Sequence, residues 1–255
     1  MSDYSVVIST FLRPIKLEKC LQSILQIPIS FGPNQVVVAD DGEANQKKDQ
    51  VYEKYSDELP LSVVDLSYDT GLAKKRNEGL ERIDDEFILF LDDDQYVPSD
   101  VHELTTILDE NPQLGAIAPF WAENGLIKCN AANFHIKRGW VIKRGDTDEC
   151  EQTGTGHHMF RYDHISNAAM FRTAVFDDYT WDGFYTIGEE DTDFYLYHKE
   201  LDKWDFAATP DYIIRHDPGA GTVGMYDYER NDIKKFNESM SYLSKKFDIK
   251  GVIHK

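Results

Sequence analysis

Phe87-Ile88-Leu89-Phe90-Leu91 is an unbroken apolar run that passes directly into Asp92-Asp93-Asp94. It reads as a buried strand whose end opens onto a polar site. The same pattern occurs upstream. Tyr4 to Ser9 is a short β-rich run ahead of Arg13-Pro14, Gln35 to Ala39 ends in Asp40-Asp41-Gly42, and Leu61 to Leu66 supplies a third strand. Leu17, Leu21, Ile24 and Leu25 share one helical face, and a further helix is expected from Leu72 to Ile83 after Gly71. This alternation predicts an α/β fold, a mainly parallel sheet flanked by helices. In such sheets ligands bind beyond the carboxyl ends of the strands, where this chain carries Ser9-Thr10, Asp40-Asp41 and Asp92 to Asp94.

After Asp100 the pattern changes. A helix is expected from Val101 to Asp109, with strands near Ala116 to Pro119, Phe134 to Ile136 and Trp140 to Ile142, so the C-terminal half reads as mixed α+β. Arg230 to Phe247 carries Ile233, Phe236, Met240, Leu243 and Phe247 at helical spacing and reads as one amphipathic terminal helix. Nothing resembling a linker interrupts the 255 residues, which are taken as one domain.

With 27 basic and 46 acidic residues the formal net charge is −19, which disfavours a nucleic-acid partner. Cys20, Cys129 and Cys150 lie far apart and form no CxxC pair, so neither a disulfide framework nor a zinc knuckle is suggested, and a cytoplasmic location is expected. The N-terminus enters a strand at once, and no stretch approaches the roughly 20 apolar residues of a spanning helix. Neither an ordinary export signal nor a helical anchor is expected.

Three adjacent carboxylates raise one another's pKa unless a cation is present, and hard oxygen ligands suit Mg2+ or Mn2+ bridging to a diphosphate. The competing reading is a surface acidic run. Asp40-Asp41-Gly42 is either a turn or a carboxylate that accepts hydrogen bonds from a nucleoside. In Gly71 to Gly79, Lys74 and Lys75 read as a solvated helix face, and Arg76 either shares that face or contacts a bound ligand from beside the carboxylates.

Taken together, Val6 to Thr10 with Arg13-Pro14, Val37 to Gly42, Gly71 with Arg76 to Gly79, and Ile88 to Asp94 with Pro98 resemble the family-two glycosyltransferases of the GT-A fold. Four motifs in family order over about 95 residues carry that resemblance. It implies a nucleotide-binding part over residues 1–100 and an acceptor-binding part over 101–255, including the C-terminal helix. It also implies nucleotide-sugar contacts from Thr10, Arg13, Asp41, Arg76, Asp92 and Asp93, usually to a UDP-sugar. Asp92 and Asp94 would be metal ligands, although which aspartates reach the metal is left open.

Trp181 to Phe184 followed by Glu190-Asp191 is similar to the family's acidic pair, which makes Asp191 the expected general base and Glu190 an acceptor contact; helix capping is the other explanation. Such a base implies an inverting transfer to a saccharide, lipid-linked or other hydroxyl acceptor. His216 is either a third metal ligand or structural. Gly219 to Gly224 has the composition of a loop that orders over donor. His157-His158 and Asn167 to Arg172 fall where the family builds its sugar and acceptor pocket. The terminal helix, with Lys234, Lys235, Lys245 and Lys246, is expected to pack on the domain, a peripheral membrane contact being the alternative. The rival functions are a nucleotidyltransferase, whose Gly-rich basic loop Ser9 to Pro14 does not supply, and a non-catalytic nucleotide- or carbohydrate-binding protein.

Overall fold

The computed structural model describes residues 3–146, 149–218 and 225–254. Its first part is the expected alternation: β1 (Tyr4–Thr10), α1 (Pro14–Ile24), β2 (Val36–Asp40), α2 (Gln46–Ser56), β3 (Leu61–Asp65), α3 (Leu72–Leu80) and β4 (Phe87–Asp92). The four strands pair in parallel in the order β3-β2-β1-β4. Side chains alternate across a strand, so Val6, Ile8, Leu89 and Leu91 enter one core layer and Val7, Val37, Ile88 and Phe90 the other. Both layers are apolar because helices cover both faces: Leu17, Leu21 and Ile24 of α1 close one, Ala73 of α3 the other.

Local signals set the helix starts. Pro14 opens α1, where its missing N–H is harmless, and the Asn45 side chain accepts from the Lys47 and Lys48 amides to cap α2. Gly71 precedes α3 with φ +99°, and a β-carbon there would sit 2.5 Å from Thr186 Cα. Only glycine tolerates both conditions.

The remaining elements are β5 (Gln95–Tyr96), α4 (Leu104–Glu110), β6 (Leu114–Glu123), β7 (Leu126–Lys128), β8 (Asn133–Lys137), β9 (Trp140–Arg144), β10 (Glu151–Gln152), β11 (His158–Tyr162), β12 (Met170–Arg172), α5 (Glu190–Leu201), β13 (Asp205–His216), α6 (Met225–Arg230), α7 (Ile233–Lys246) and β14 (Gly251–His254). The sheet continues across the chain's midpoint as β4-β12-β6-β13-β11-β10. β12 runs antiparallel to both neighbours, and β6 and β13 pair in parallel. β14, β9 and β8 form a separate three-stranded sheet.

The terminal segment is the expected single amphipathic helix, α7, which carries Ile233, Phe236, Met240 and Leu243; it starts at Ile233 because the Asp232 carboxylate caps it, accepting from the Lys234 and Lys235 amides. α7 packs on the domain through Ser239 and Leu243, while Ile233 at its start is 75% exposed. No helix among the described residues is long and apolar enough to cross a membrane.

Candidate active site

The parallel register sets Ser9 beside Asp92 and Thr10 beside Asp40, so β1, β2 and β4 end level. β1 has a neighbour on each side with its crossover leaving in a different direction, the place where an open sheet forms a crevice. The Asp93 amide donates to Ser9 O at 3.1 Å. Thr10 Oγ1 donates to Asp93 Oδ2 at 2.7 Å, and the Arg13 guanidinium spans Asp93 and Asp94, with Nη1 to Asp94 Oδ2 at 2.6 Å. Burial works against the Arg13 charge, but the two carboxylates override it and raise its pKa.

Asp93 is engaged within the protein. The residue is 0% exposed, and its two oxygens are taken by Thr10 and Arg13. Its visible role is to hold Arg13 in place. Asp93→Ala should therefore destabilise the fold by about 3 kcal/mol, as removal of one partner from a buried ion pair does. Urea unfolding of the two proteins checks this, and a loss below about 1 kcal/mol would contradict the assigned role.

Asp41 is likewise enclosed. Lys75 Nζ reaches Oδ1 at 2.8 Å and the Gly71 amide reaches Oδ2 at 2.9 Å, and Lys75 also donates to Thr10 O at 3.1 Å. Lys75 is thus not part of a solvated face: it is 1% exposed, whereas Lys74 is exposed. Lys75 and Gly79 sit one turn apart on the α3 face that meets β1, and Asp41 compensates the buried ammonium. Asp40 is satisfied in the same way by Lys48 and Tyr52.

β5 follows the acidic run directly and pairs with the end of β13, placing His216 opposite Gln95. The Asp217 amide donates to Asp94 O at 2.9 Å. His216 Nε2 lies 3.8 Å from Asp94 Oδ2, while Nδ1 lies 2.6 Å from Glu123 Oε2. The Glu123 contact suits the tautomer with Nδ1 protonated, which leaves the Nε2 lone pair toward Asp94. Burial pushes the Asp94 carboxyl up to about 6; Arg13 opposes that shift, and Asp93 and Asp92 add to it. Asp92 Oδ1 is buried without a hydrogen-bond partner.

Among the described residues no three metal-ligating side chains close into a finished cage. Asp92, Asp94 and His216 nevertheless line one cleft with two carboxylates and an imidazole, and Asp92 adds an oxygen without a hydrogen-bond partner, donors of the type that suit Mn2+ or Mg2+.

The carboxylates border a cleft of about 380 Å³ that also takes in Lys75, Tyr226 and Arg230. The Tyr226 ring lies 4.2 Å from the Arg13 guanidinium carbon and 5.8 Å from that of Arg230. Neither α6 residue stands out in the sequence, where an aromatic and an arginine four positions apart read as ordinary surface of a helix. The Gly219 to Gly224 segment, expected to cover donor, lies outside the described residues.

The acidic pair arrives from the other side. Gly188 and Glu189 both have left-handed φ values, +71° and +68°, and this sharp turn starts α5 at Glu190 facing the end of β4. Arg76 joins the two regions: Nη1 is 2.9 Å from Asp191 Oδ1 and 3.7 Å from Glu190 Oε1, and Nη2 is 3.9 Å from Asp92 Oδ1. Asn167 also donates to Asp191 Oδ1. Arg76 is held from behind by the Trp181 ring at 5.4 Å, inside an aromatic cluster with Phe90, Phe176 and Phe194. Asp191 keeps 34% of its side chain exposed, so it combines a fixed orientation with access to solvent.

Burial, and then the charge of Asp191, pushes Glu190 up to about 7. A carboxyl with a raised folded pKa stabilises the fold fully below its unfolded value near 4.5, and that contribution disappears as pH rises through about 7. Between pH 5 and pH 8 the melting temperature should fall, and Glu190→Gln should reduce the fall by about 5 °C. Parallel pH profiles of the two proteins would refute this. His157 and His158 are not drawn into the site; both lie near Asp211, away from the acidic pair.

A model of Glycosyl transferase family 2 matches residues 5–180. The amylovoran biosynthesis glycosyltransferase AmsE of Erwinia amylovora is 29% identical over 186 residues, covering 69% of this chain and 66% of that protein. The poly(ribitol-phosphate) β-N-acetylglucosaminyltransferase TarS of Staphylococcus aureus is 30% identical over 113 residues, 44% of this chain but only 20% of TarS. The crystal structure of TarS residues 1–349 superposes with a TM-score of 0.65 at 20% identity, covering 95% of this chain and 64% of that one. GalNAc-T7, solved with UDP, GalNAc and Mn2+, gives 0.64 at 12% identity, over 98% of this chain and 56% of that one. These two structures share the GT-A architecture, and the chain spans between 20% and 66% of the length of the proteins it matches. The family match runs from β1 through β4 and on to Thr180, over the strand ends that carry the acidic run: this chain belongs to glycosyl transferase family 2.

Proposed function

We propose that the protein is an inverting glycosyltransferase that moves a sugar from a UDP-sugar to an acceptor hydroxyl with a bound Mn2+ or Mg2+. One observation carries the reading. Asp191 is partly exposed, held through one oxygen by Arg76 and Asn167, and linked through Arg76 to Asp92 at the rim of the cleft. A base across from the donor is what inversion requires. The acceptor hydroxyl gives its proton to Asp191 while its oxygen attacks the anomeric carbon, and the bond from that carbon to the β-phosphate oxygen breaks to release UDP. UDP as the carrier is supported by the TarS structures with UDP and UDP-GlcNAc and by GalNAc-T7 with UDP.

Residues 1–100 supply most of the donor side in this reading. Thr10 and Arg13 line the cleft, Asp41 and Asp93 act one layer behind by fixing Lys75 and Arg13, and Lys75 and Arg230 offer positive charge to the diphosphate. Asp92, Asp94 and His216 would hold the cation, which when bound neutralises charge on the departing diphosphate. Residues 101–255 supply Asp191, Glu190 and the acceptor contacts. A lipid-linked acceptor would bring the exposed Ile233 of α7, next to Lys234, toward a membrane surface.

The test is a panel of nucleotide sugars with and without Mn2+, read by thermal shift and donor hydrolysis. A saturating UDP-sugar should raise the melting temperature by about 5 °C, and Mn2+ should be required. Binding indifferent to Mn2+ would remove the metal from the reading. Pyrophosphate release from a nucleoside triphosphate would make the protein a nucleotidyltransferase, and tight nucleotide binding with no turnover would make it a binding protein.

A further inference from the structure

Asp193 stands two positions beyond Asp191 on α5, so the two carboxylates leave the helix on opposite sides. Asp191 turns toward Arg76 and Asn167, and Asp193 turns inward, where it is 0% exposed. Its oxygens accept from the Tyr179 hydroxyl at 2.5 Å and the Tyr185 hydroxyl at 2.8 Å. Burial raises the pKa of both phenols, so they stay neutral and do not compensate the carboxylate charge. The compensating cation comes from the last turn of α7: Lys246 Nζ lies 2.7 Å from Asp193 Oδ2. Burial works against the Lys246 charge, but its hydrogen bonds to Asp182 and Asp193 override it and raise its pKa.

The start of α5 needs support from outside. Glu189 makes no side-chain cap, and both it and Gly188 hold left-handed φ values, which for a glutamate costs on the order of 1 kcal/mol or more. Such a turn persists only where its surroundings fix it. α7 runs along it and meets it repeatedly. Tyr242 Oη and Lys246 Nζ donate to Asp182 Oδ2 at 2.9 and 2.8 Å, and Ser239 Oγ donates to Ile187 O at 2.8 Å. The Phe236 ring lies against Gly188, where a β-carbon would fall 2.7 Å from it. One face of α7 thus braces residues 182–193, the segment that carries Glu190 and Asp191. Asp193 and Lys246 both lie beyond the residues 5–180 that the family model matches, so the family match does not supply this contact.

We infer that Lys246 is a positioning residue for the transfer reaction: through Asp193 it fixes the first turn of α5 and so holds Asp191 beside Arg76. The inference rests on the reading of Asp191 as the base. Without the ammonium, a fully buried carboxylate in that turn has no cation. It relieves the cost by moving toward water, which turns the start of α5 and carries Asp191 with it.

Lys246→Met tests this, because it keeps the side-chain stem near the Tyr179 and Tyr242 rings and removes only the charge. Turnover is read as UDP release from UDP-glucose or UDP-N-acetylglucosamine with Mn2+, whichever the parent uses faster. Water stands in for the acceptor hydroxyl, and each protein is assayed well below its own melting temperature. In Lys246→Met, kcat should fall at least about tenfold, while the donor KM and calorimetric UDP affinity stay within about twofold of the parent. Lys246→Arg restores a cation and should return kcat to within about threefold. Lys245→Met, at the exposed neighbouring position, should leave kcat unchanged. Amide exchange at residues 193–196, read by mass spectrometry, should quicken at least about tenfold in Lys246→Met and stay unchanged at residues 87–92.

Parental kcat in Lys246→Met, whatever its melting temperature, overturns the inference, and so does a loss that Lys246→Arg does not repair. Unchanged exchange at residues 193–196 overturns it even if neither sugar is turned over. Asp191→Asn, assayed alongside, separates the two readings. Near-normal turnover there strikes the base itself, whereas a large loss there with parental turnover in Lys246→Met strikes only the role of Lys246.

Discussion

Asp191→Asn should bind UDP as tightly as the parent and transfer sugar at least about a hundredfold more slowly. The substitution isolates the proton transfer. An asparagine is the same size, and its amide oxygen can still accept from Arg76 and Asn167, which both address Asp191 Oδ1. What is lost is a charge able to take the acceptor proton. The donor cleft on the far side of Arg76 has no Asp191 in its wall, so donor affinity should not move. The comparison is steady-state transfer, using the nucleotide sugar that the donor panel identifies, together with calorimetric UDP binding. Near-normal turnover would refute the base; lost UDP binding would mean that the Arg76 bridge supports the donor side as well.

Asp94→Asn should weaken Mn2+-dependent UDP binding by about a hundredfold or more, since removing a ligand should exceed the tenfold to hundredfold typical of changes one layer further out. The fold should tolerate the change. Asp94 lies beside Asp92 and Asp93, whose charges push its carboxyl upward together with burial, so neutralising it relieves repulsion, and Arg13 keeps its pairing with Asp93. Thermal stability without nucleotide should therefore stay close to that of the parent. Calorimetry with UDP and Mn2+ checks the pair, and unchanged affinity would sink the assignment of Asp94 to the metal. His216→Ala provides the companion measurement: if metal affinity is undiminished, the contacts to Trp121 and Glu123 are the histidine's whole role.

Much of the donor side is legible in the amino-acid sequence. An apolar run that stops at carboxylates is a local pattern, and β1, β2 and β4 end within a residue or so of where Ser9, Ala39 and Leu91 suggest. A helix after the four carboxylates of residues 189–193 is legible too, although α5 starts among them at Glu190 and not at Phe194. The first residue of α7 is not legible to better than a few positions, because apolar spacing gives the helix and only the Asp232 cap geometry sets its start at Ile233. Nor is the burial of Lys75: a lysine on a helix is solvated unless a buried carboxylate meets it, and Asp41 is 34 positions away.

By itself, then, the sequence determined the α/β class, the parallel character of the first strands' sheet, and the acidic ends of its strands, because hydrophobic periodicity and strand ends depend on near neighbours. It could not sort the carboxylates into those that serve the fold and those left free. That division depends on charges and hydrogen bonds between residues far apart in the chain. Arg13 claims Asp93, Lys75 claims Asp41, Arg76 ties Asp92 to Asp191, and the β5–β13 pairing carries His216 to Asp94. Only the tertiary structure decides which buried charge meets which partner, and so which oxygens remain for a ligand.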